Sequence, residues 1–420
     1  MRRIAISGLV ALATVLGGVA VPATAIAQPT AAVRPGITAR PAEAVVEDAG
    51  TPLISCLTVT DCLGIVGSSS LNNPGQSAIP TRVARWNGSA WKRLGVAMPK
   101  GTRSADLLGV SCRGAKSCLV VGDYYTSTSL SATVHVLALS YNGTSLKPTP
   151  TVPLPKGTTD VRLSGVSCAS TRYCVALGEA EGDTAAFGRA GALIIIETWN
   201  GAKWTLHTAA ASIGTTAVVP SVASCATSAF CLVMGVDLSM ASSSVSGLYV
   251  ASWNGRKLTT MKPATVDGGM GFLLAAGVSC ATASKCAVTG AYSGRNASTA
   301  TAFTEIWNGK TWRLAKVTWP KGADDSTTIG VSCYTASSCE AVGVDAIGTS
   351  VHAAAVSFNG TTGTLQAVPA PPAGDFSAFT AVSCLPLGSC VAVGGTGRSK
   401  APPLMTGVWN GKTWKLAPGF

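Results

Sequence analysis

The residues with the greatest chemical potential in this 420-residue chain are fourteen cysteines, and their spacing is regular. They form seven pairs with five intervening residues each, and seven bridges are expected: Cys56–Cys62, Cys112–Cys118, Cys168–Cys174, Cys225–Cys231, Cys280–Cys286, Cys333–Cys339 and Cys384–Cys390. Zinc and redox chemistry are the competing uses. Zinc ligands usually stand about two to four residues apart and need further His or Cys partners, which these isolated pairs lack. An even cysteine count in an exported chain favours disulfides, and cysteines at facing ends of adjacent strands reach the required Cβ separation. A loop this short contributes about 2 kcal/mol per bridge, so seven contribute on the order of 10 kcal/mol.

Acid–base and ligand chemistry would have to come from elsewhere. The candidates for contacts to a sugar or peptide ligand are Asp123, Tyr124, Tyr125, Glu179, Asp237, Tyr292, Arg295, Asp345 and His352. Paired carboxylates, Glu179 with Glu181 or Asp324 with Asp325, offer the groups that glycoside chemistry uses. Adjacency in sequence does not set their separation in space. The chain lacks G-x-S-x-G, H-E-x-x-H, P-loop and G-x-G-x-x-G segments, so no catalytic residue, metal or cofactor is assigned.

The elements that must position these residues are set by the repeat. Successive first cysteines are separated by 56, 56, 57, 55, 53 and 51 residues, a period that points to propeller blades. Each repeat carries a second mark, an aromatic-Asn-Gly triplet beginning at Trp86, Tyr141, Trp199, Trp253, Trp307, Phe358 or Trp409. Asn-Gly tolerates the positive φ of a tight primed turn, so each triplet is expected at a hairpin tip. Trp91, Leu146, Trp204, Leu258, Trp312, Leu365 or Trp414 follows. Periodic aromatics of this kind are expected to pack between sheets, whereas Trp319, outside the repeat, is the candidate exposed aromatic. Four strands per repeat, a to d, give an all-β, seven-bladed propeller over residues 51–420, with repeats starting near 53, 109, 165, 222, 277, 330 and 381.

The order of strand, turn, strand ending in Val-Gly, loop, strand ending in aromatic-Asn-Gly, then Trp resembles the kelch repeat of galactose-oxidase-like propellers. Gly394-Gly395 is the one intact glycine pair at that strand end. The chain also resembles exported bacterial proteins built on Ser-Cys-x5-Cys and Trp-Asn-Gly-x-x-Trp. The oxidase's copper chemistry is not implied: His135, His207 and His352 occupy unrelated repeat positions, and every cysteine belongs to a pair.

Antiparallel order places the cysteine turns and Asn-Gly turns at one end of every blade. The b–c loops and the blade-to-blade connectors lie at the other. From each aromatic to the next first cysteine the spacing is 26 or 27 residues, whereas from first cysteine to aromatic it ranges from 31 to 25. Length variation therefore sits in the b–c loops, the expected ligand face. Acids are assigned there too: Asp123, Glu179, Glu181, Asp183, Asp237 and Asp345 to loops, and Asp106, Asp160, Asp267, Asp324, Asp325 and Asp375 to connectors. The turn face carries Lys92, Arg113, Lys116, Arg172, Lys203, Arg256, Lys257, Lys285, Lys310 and Lys412 against Asp61 and Glu340. It is a candidate for adhesion to anionic envelope polymers.

Arg2 and Arg3, the apolar run Ile4–Val21 and Ala25-Ile26-Ala27 read as a signal peptide over 1–27, cleaved after Ala27. Residues 28–50 read as a linker. No later segment is long and apolar enough to span a bilayer, and a secreted monomer is expected. The formal net charge is +12, yet charged residues make up 12% of the chain, so nucleic acid is an unsuitable partner in the absence of basic clusters. A non-catalytic propeller binding carbohydrate, envelope polymer or protein fits this pattern. The alternative is an extracellular carbohydrate-active hydrolase or lyase using loop carboxylates.

Overall fold

The computed structural model describes residues 51–67, 81–127, 133–150, 152–182, 191–213, 216–239, 245–264, 270–294, 299–323, 326–347, 350–371, 376–397 and 403–420. The signal peptide and linker assigned to 1–50 lie outside them. The chain is a seven-bladed β-propeller of antiparallel sheets, each with four strands in sequential order. The a strands are Pro52–Thr58, Ser104–Gly114, Thr158–Ser170, Thr216–Thr227, Met270–Thr282, Thr327–Cys333 and Ser377–Cys384. Each packs against the a strand of the next blade, so the a strands surround the axis and the d strands form the rim. Among the described residues three blades gain a short fifth strand. In blades 2 and 6 it is the chain leaving the previous blade, Gly95–Val96 or Lys316–Val317, laid parallel to the outer strand, which covers an otherwise open edge.

All seven disulfides join directly paired cysteines of strands a and b, with Cα–Cα separations of 3.8 to 4.0 Å. The serine before each first cysteine has a separate task. The backbone N–H of Cys112 donates to Ser55 Oγ, and those of Cys168, Cys225, Cys280, Cys333 and Cys384 donate to Ser111, Ser167, Ser224, Ser279 and Ser332. The Cys56 N–H donates to Ser383 Oγ at 3.0 Å and completes the circle. Each blade thus satisfies one edge amide of the next, which the innermost strand cannot pair within its own sheet.

Among the described residues three further bonds close the ring. Thr380 Oγ1 donates to the Pro52 carbonyl, Arg82 to the Phe420 carbonyl, and the Trp91 indole to Thr406 Oγ1. The Phe420 ring stacks near Trp91, with centroids 4.4 Å apart. Among the described residues no strand is exchanged between the first and last blades; side chains and these bonds join them.

The Val-Gly that suggests a strand end lies mid-strand instead. Gly122, Gly178, Gly235, Gly290, Gly343 and Gly394 each sit four residues after the second cysteine, opposite a register shift in strand a. There a strand-a carbonyl turns onto the glycine, and a Cβ would collide with it. The β-bulge therefore requires glycine, and both strands continue past it.

The Asn-Gly tips also differ from a two-residue primed turn. In six blades, four residues separate the aromatic from its paired Trp or Leu, as between Trp86 and Trp91. The Asn side chain closes this longer turn: Asn87 Oδ1 accepts the N–H groups of Ser89 and Ala90, and Asn142, Asn200, Asn254, Asn308 and Asn410 act alike. Gly88, with φ +98°, supplies the left-handed residue. Only in blade 6 does Asn359 pair with Thr362 across two residues.

The periodic tryptophans fill the interblade space. Trp86, Trp204, Trp253, Trp312 and Trp414 are buried. The Trp204 and Trp414 indoles, like that of Trp91, donate across the interface to the preceding blade, at Thr149 Oγ1 and Gln366 Oε1. Trp319, expected to be exposed, is half-buried against the Ala341, Val356 and Phe358 core, because its connector folds back onto the blade 5–6 interface.

Candidate functional site

In blade 3, strand a (Thr158–Ser170) runs against strand b (Tyr173–Gly182), placing Asp160 opposite Glu181 and Arg162 opposite Glu179. Residues two apart share a face of the sheet. Two acids on one strand and an Asp–x–Arg on its partner thus converge at the end of the blade farthest from its disulfide. Asp123, on the b strand of blade 2 (Ser117–Tyr125), joins them from the next sheet and is itself paired with Asp106. The Leu163 N–H donates to Asp123 Oδ1 at 3.4 Å, and the Val161 N–H donates to Asp160 Oδ1 at 2.8 Å.

Burial sets the electrostatics. Glu179 is 4% exposed and Arg162 8%, Asp106 and Asp123 are fully buried, and Asp160 and Glu181 are half-buried. Burial pushes the Glu179 carboxyl up to about 8, helped by Glu181 and opposed by Arg162, so the acid form dominates at neutral pH. Asp123 is likewise held well above the carboxylate range by burial, against the pull of Arg162. Burial raises Tyr125 to about 12. It opposes the Arg162 charge, but Asp123, Tyr125, Asp160 and Glu179 together keep that guanidinium firmly ionised. Glu179 Oε2 and Asp123 Oδ2 have no hydrogen-bond partner. Unpaired buried oxygens of this kind are costly to keep.

Asp160, Val161, Arg162, Glu179 and Glu181 line a shallow surface hollow. A second shallow hollow lies on the turn side between blades 1 and 2, beside the Cys112–Cys118 bridge. Its polar groups are already engaged: Arg85 forms a bidentate pair with Asp61 at 2.6 and 2.7 Å and also donates to Tyr141 Oη. The blade 3 hollow is therefore the better candidate for a ligand site. Neither is deep enough to enclose a small-molecule ligand, so a ligand would lie across the surface of the hollow.

The structure brings Asp123, Tyr125 and Glu179 to this cluster and leaves the other candidates elsewhere. Tyr124 stacks on His135, with centroids 4.9 Å apart. Asp237 is half-buried in blade 4, where burial raises it to about 6, and Tyr292 lies beside Phe303 in blade 5. Asp345 accepts from Ser326 Oγ and pairs across strands with the exposed His352 in blade 6. Arg295 lies outside the described residues, as do Asp183, Asp267, Asp324, Asp325 and Asp375. Asp123, Glu179, Glu181, Asp237 and Asp345, assigned to loops by sequence, stand on b strands, and Asp106 and Asp160 stand on a strands.

Arg162 escaped the sequence reading. Its signal was available: Asp160-Val-Arg162 and Glu179-Ala-Glu181 are both charged at alternate positions, on strands that the cysteine pair had already aligned. Glu197 and Glu305, both two residues before a Trp, are fully buried on c strands. Burial raises Glu197 to about 8 and Glu305 to about 7. The Ala264 N–H donates to Glu305 Oε2. Among the described residues no three His, Cys, Asp or Glu side chains converge as a metal site, and no helix is long and apolar enough to cross a membrane.

No protein-family model matches the chain, and no curated protein matches it by sequence. Solved structures do match in shape. A polysaccharide lyase, the PL25 ulvan lyase bound to a -[GlcA(1-4)Rha3S]- oligosaccharide, is 10% identical with TM-score 0.55, covering 89% of this chain and 96% of its own. The polysaccharide lyase Uly1 is 8% identical with TM-score 0.47, covering 87% and 91%. The α-L-arabinanase of Penicillium chrysogenum complexed with arabinobiose is 11% identical with TM-score 0.45, covering 88% and 95%. The ulvan lyase likeness establishes a shared propeller fold. Seven disulfides assign the chain to an oxidising compartment.

Proposed function

We propose that the chain is a secreted binding propeller, exported by residues 1–27, that takes a neutral or amino glycan across the Asp160–Arg162–Glu179–Glu181 hollow. The observation that carries this reading is the nearly buried Glu179, whose Oε2 lacks a partner in a hollow lined by polar groups of both signs. Sugar hydroxyls and ammonium groups donate to carboxyl oxygens, and Arg162 donates to ring or hydroxyl oxygens. The half-buried Asp160 and Glu181 disfavour an anionic sugar. The fold likeness to an ulvan lyase adds that a propeller of this shape can handle a polysaccharide.

Titration of the oxidised chain against neutral, amino and uronic oligosaccharides tests this. Neutral or amino sugars are expected to bind. Asp160→Ala and Glu181→Ala, at half-buried positions, should each weaken binding about tenfold, the effect of one charge-assisted hydrogen bond. Failure of every sugar class to bind overturns the reading. A second reading, a hydrolase or lyase, is favoured by one feature: Glu179 is in its acid form at neutral pH beside Glu181, which is a proton donor next to a potential base. New reducing or unsaturated ends released from a bound polysaccharide would establish it.

A further inference from the structure

The turn face presents a different chemistry, and its regularity is built in. All seven cysteine turns have the same length, and six of the seven Asn-Gly turns span four residues. The tips are therefore built alike around most of the ring. Lys92, Lys116, Arg172, Lys203, Arg256, Lys257, Lys310 and Lys412 are all exposed there. The two acids of this face do not oppose them. Asp61 is held by Arg85 at 2.6 Å, and Glu340 is fully buried, with Gln366 Nε2 donating to its Oε2.

These cations are distributed over blades 1 to 5 and 7, leaving blade 6 without one. In that gap the blade 7 cysteine turn carries Leu387, which is 95% exposed, next to the exposed Pro386. Tyr334 of blade 6 packs against Gly388 of the same turn. A single exposed leucine is ordinary on a protein surface, but this one stands on an inner turn beside a ring of cations that no free acid opposes. It matches the two-part affinity of interfacial membrane proteins, which combine basic residues for anionic headgroups with an apolar side chain for the acyl boundary.

We infer that the turn face docks flat on an anionic phospholipid surface, with the cations on headgroup phosphates and Leu387 inserted at the blade 6–7 edge. The docking surface is opposite the glycan hollow, so the two sites are independent. A propeller seated this way presents its loop face away from the membrane.

Flotation of the disulfide-intact chain with vesicles of phosphatidylglycerol and phosphatidylcholine tests the inference, with pure phosphatidylcholine as the comparison. Binding to the anionic vesicles is expected at low salt and should fall as ionic strength rises. Leu387→Asp, at a position making no packing contribution, should weaken it about tenfold by removing one buried apolar side chain. Lys310→Glu combined with Lys412→Glu should weaken it further, whereas Asp160→Ala should leave it unchanged. Absence of binding at low salt overturns the inference. So does binding that a soluble polyphosphate abolishes and that Leu387→Asp does not alter, since the face would then recognise a polymer instead of a bilayer.

Discussion

The two ends of each blade obey different rules. At the turn end the parts repeat: a paired disulfide and a serine bonded to the next blade's cysteine amide in all seven blades, and an asparagine closing a turn over a left-handed glycine in six. At the loop end the residue type changes from blade to blade, with only blades 4 and 6 sharing one. The position five residues after the second cysteine is Asp123, Glu179, Val236, Ala291, Val344 or Gly395 in blades 2 to 7. The boundary between these regimes is the glycine under the bulge. On its turn side, residues are dictated by ring closure. Beyond it, side chains are free to differ, and there the buried carboxyls of blades 2 and 3 collect. Repetition reports what the fold needs, and individuality reports where a ligand can be read.

The sharpest way to break the boundary is to fill it. Gly290→Val places a side chain against the Leu274 carbonyl and the Phe303 ring, with no rotamer that relieves a backbone collision, and should cost about 4 kcal/mol or more. Gly95→Ala, where nothing lies within 4 Å, should stay within about 0.5 kcal/mol. Urea midpoints of the two variants measure the contrast. If they match, the bulge is not a structural requirement.

Next in size is the cost of a buried acid at the loop end. The folded pKa of Glu179 is raised, to about 8 from 4.5, so the folded chain holds a proton that the unfolded chain releases between those values. The penalty is absent below about pH 4, grows as pH rises to 8 and is constant above it, at a few kcal/mol. Glu179→Gln should therefore stabilise the chain by about 3 kcal/mol at pH 8.5 and hardly at all at pH 4. Thermal melts at the two pH values check the sign. A residue whose removal stabilises the fold while weakening sugar binding marks a functional compromise.

This division also explains what the sequence could reveal. The Cys-x5-Cys pairs and aromatic-Asn-Gly triplets specified blade count, strand order and disulfide pairing, because each mark serves a contact that all seven blades must make. Asp123, Tyr125 and Glu179 were legible as polar outliers at the loop end. Arg162 was not, since its meaning depends on a cross-strand register and on a neighbouring blade. The strands' true length was hidden as well. The glycines four residues after the second cysteine read as strand ends, although a bulge lets the strand continue to Tyr125 and Gly182. Trp319 misled for a related reason: exposure depends on where a connector folds back, which no local pattern encodes.

Turn-end variants should show smaller effects of uniform size. Replacing both Cys225 and Cys231 by Ser removes one short covalent loop and should cost about 2 kcal/mol. The same replacement at Cys333 and Cys339 should cost about as much, because the two loops are equal in length. Denaturant midpoints under oxidising conditions check this. A pair whose loss is neutral would mean that its blade is held by packing alone.

The smallest effect discriminates most finely. Ser111→Ala leaves the Cys168 amide without its 2.9 Å acceptor, and an unpaired, partly buried N–H costs about 1 kcal/mol. Each of the seven serines makes the same bond, so an open array would show a position dependence that a closed ring does not. Ser383 accepts from Cys56 across the junction of the last and first blades. If Ser383→Ala costs the same as Ser111→Ala, the junction is an ordinary interface. A much larger loss, measured with the Trp91–Phe420 contact intact, would show that closure is the weak point and that the serine ring is what holds it.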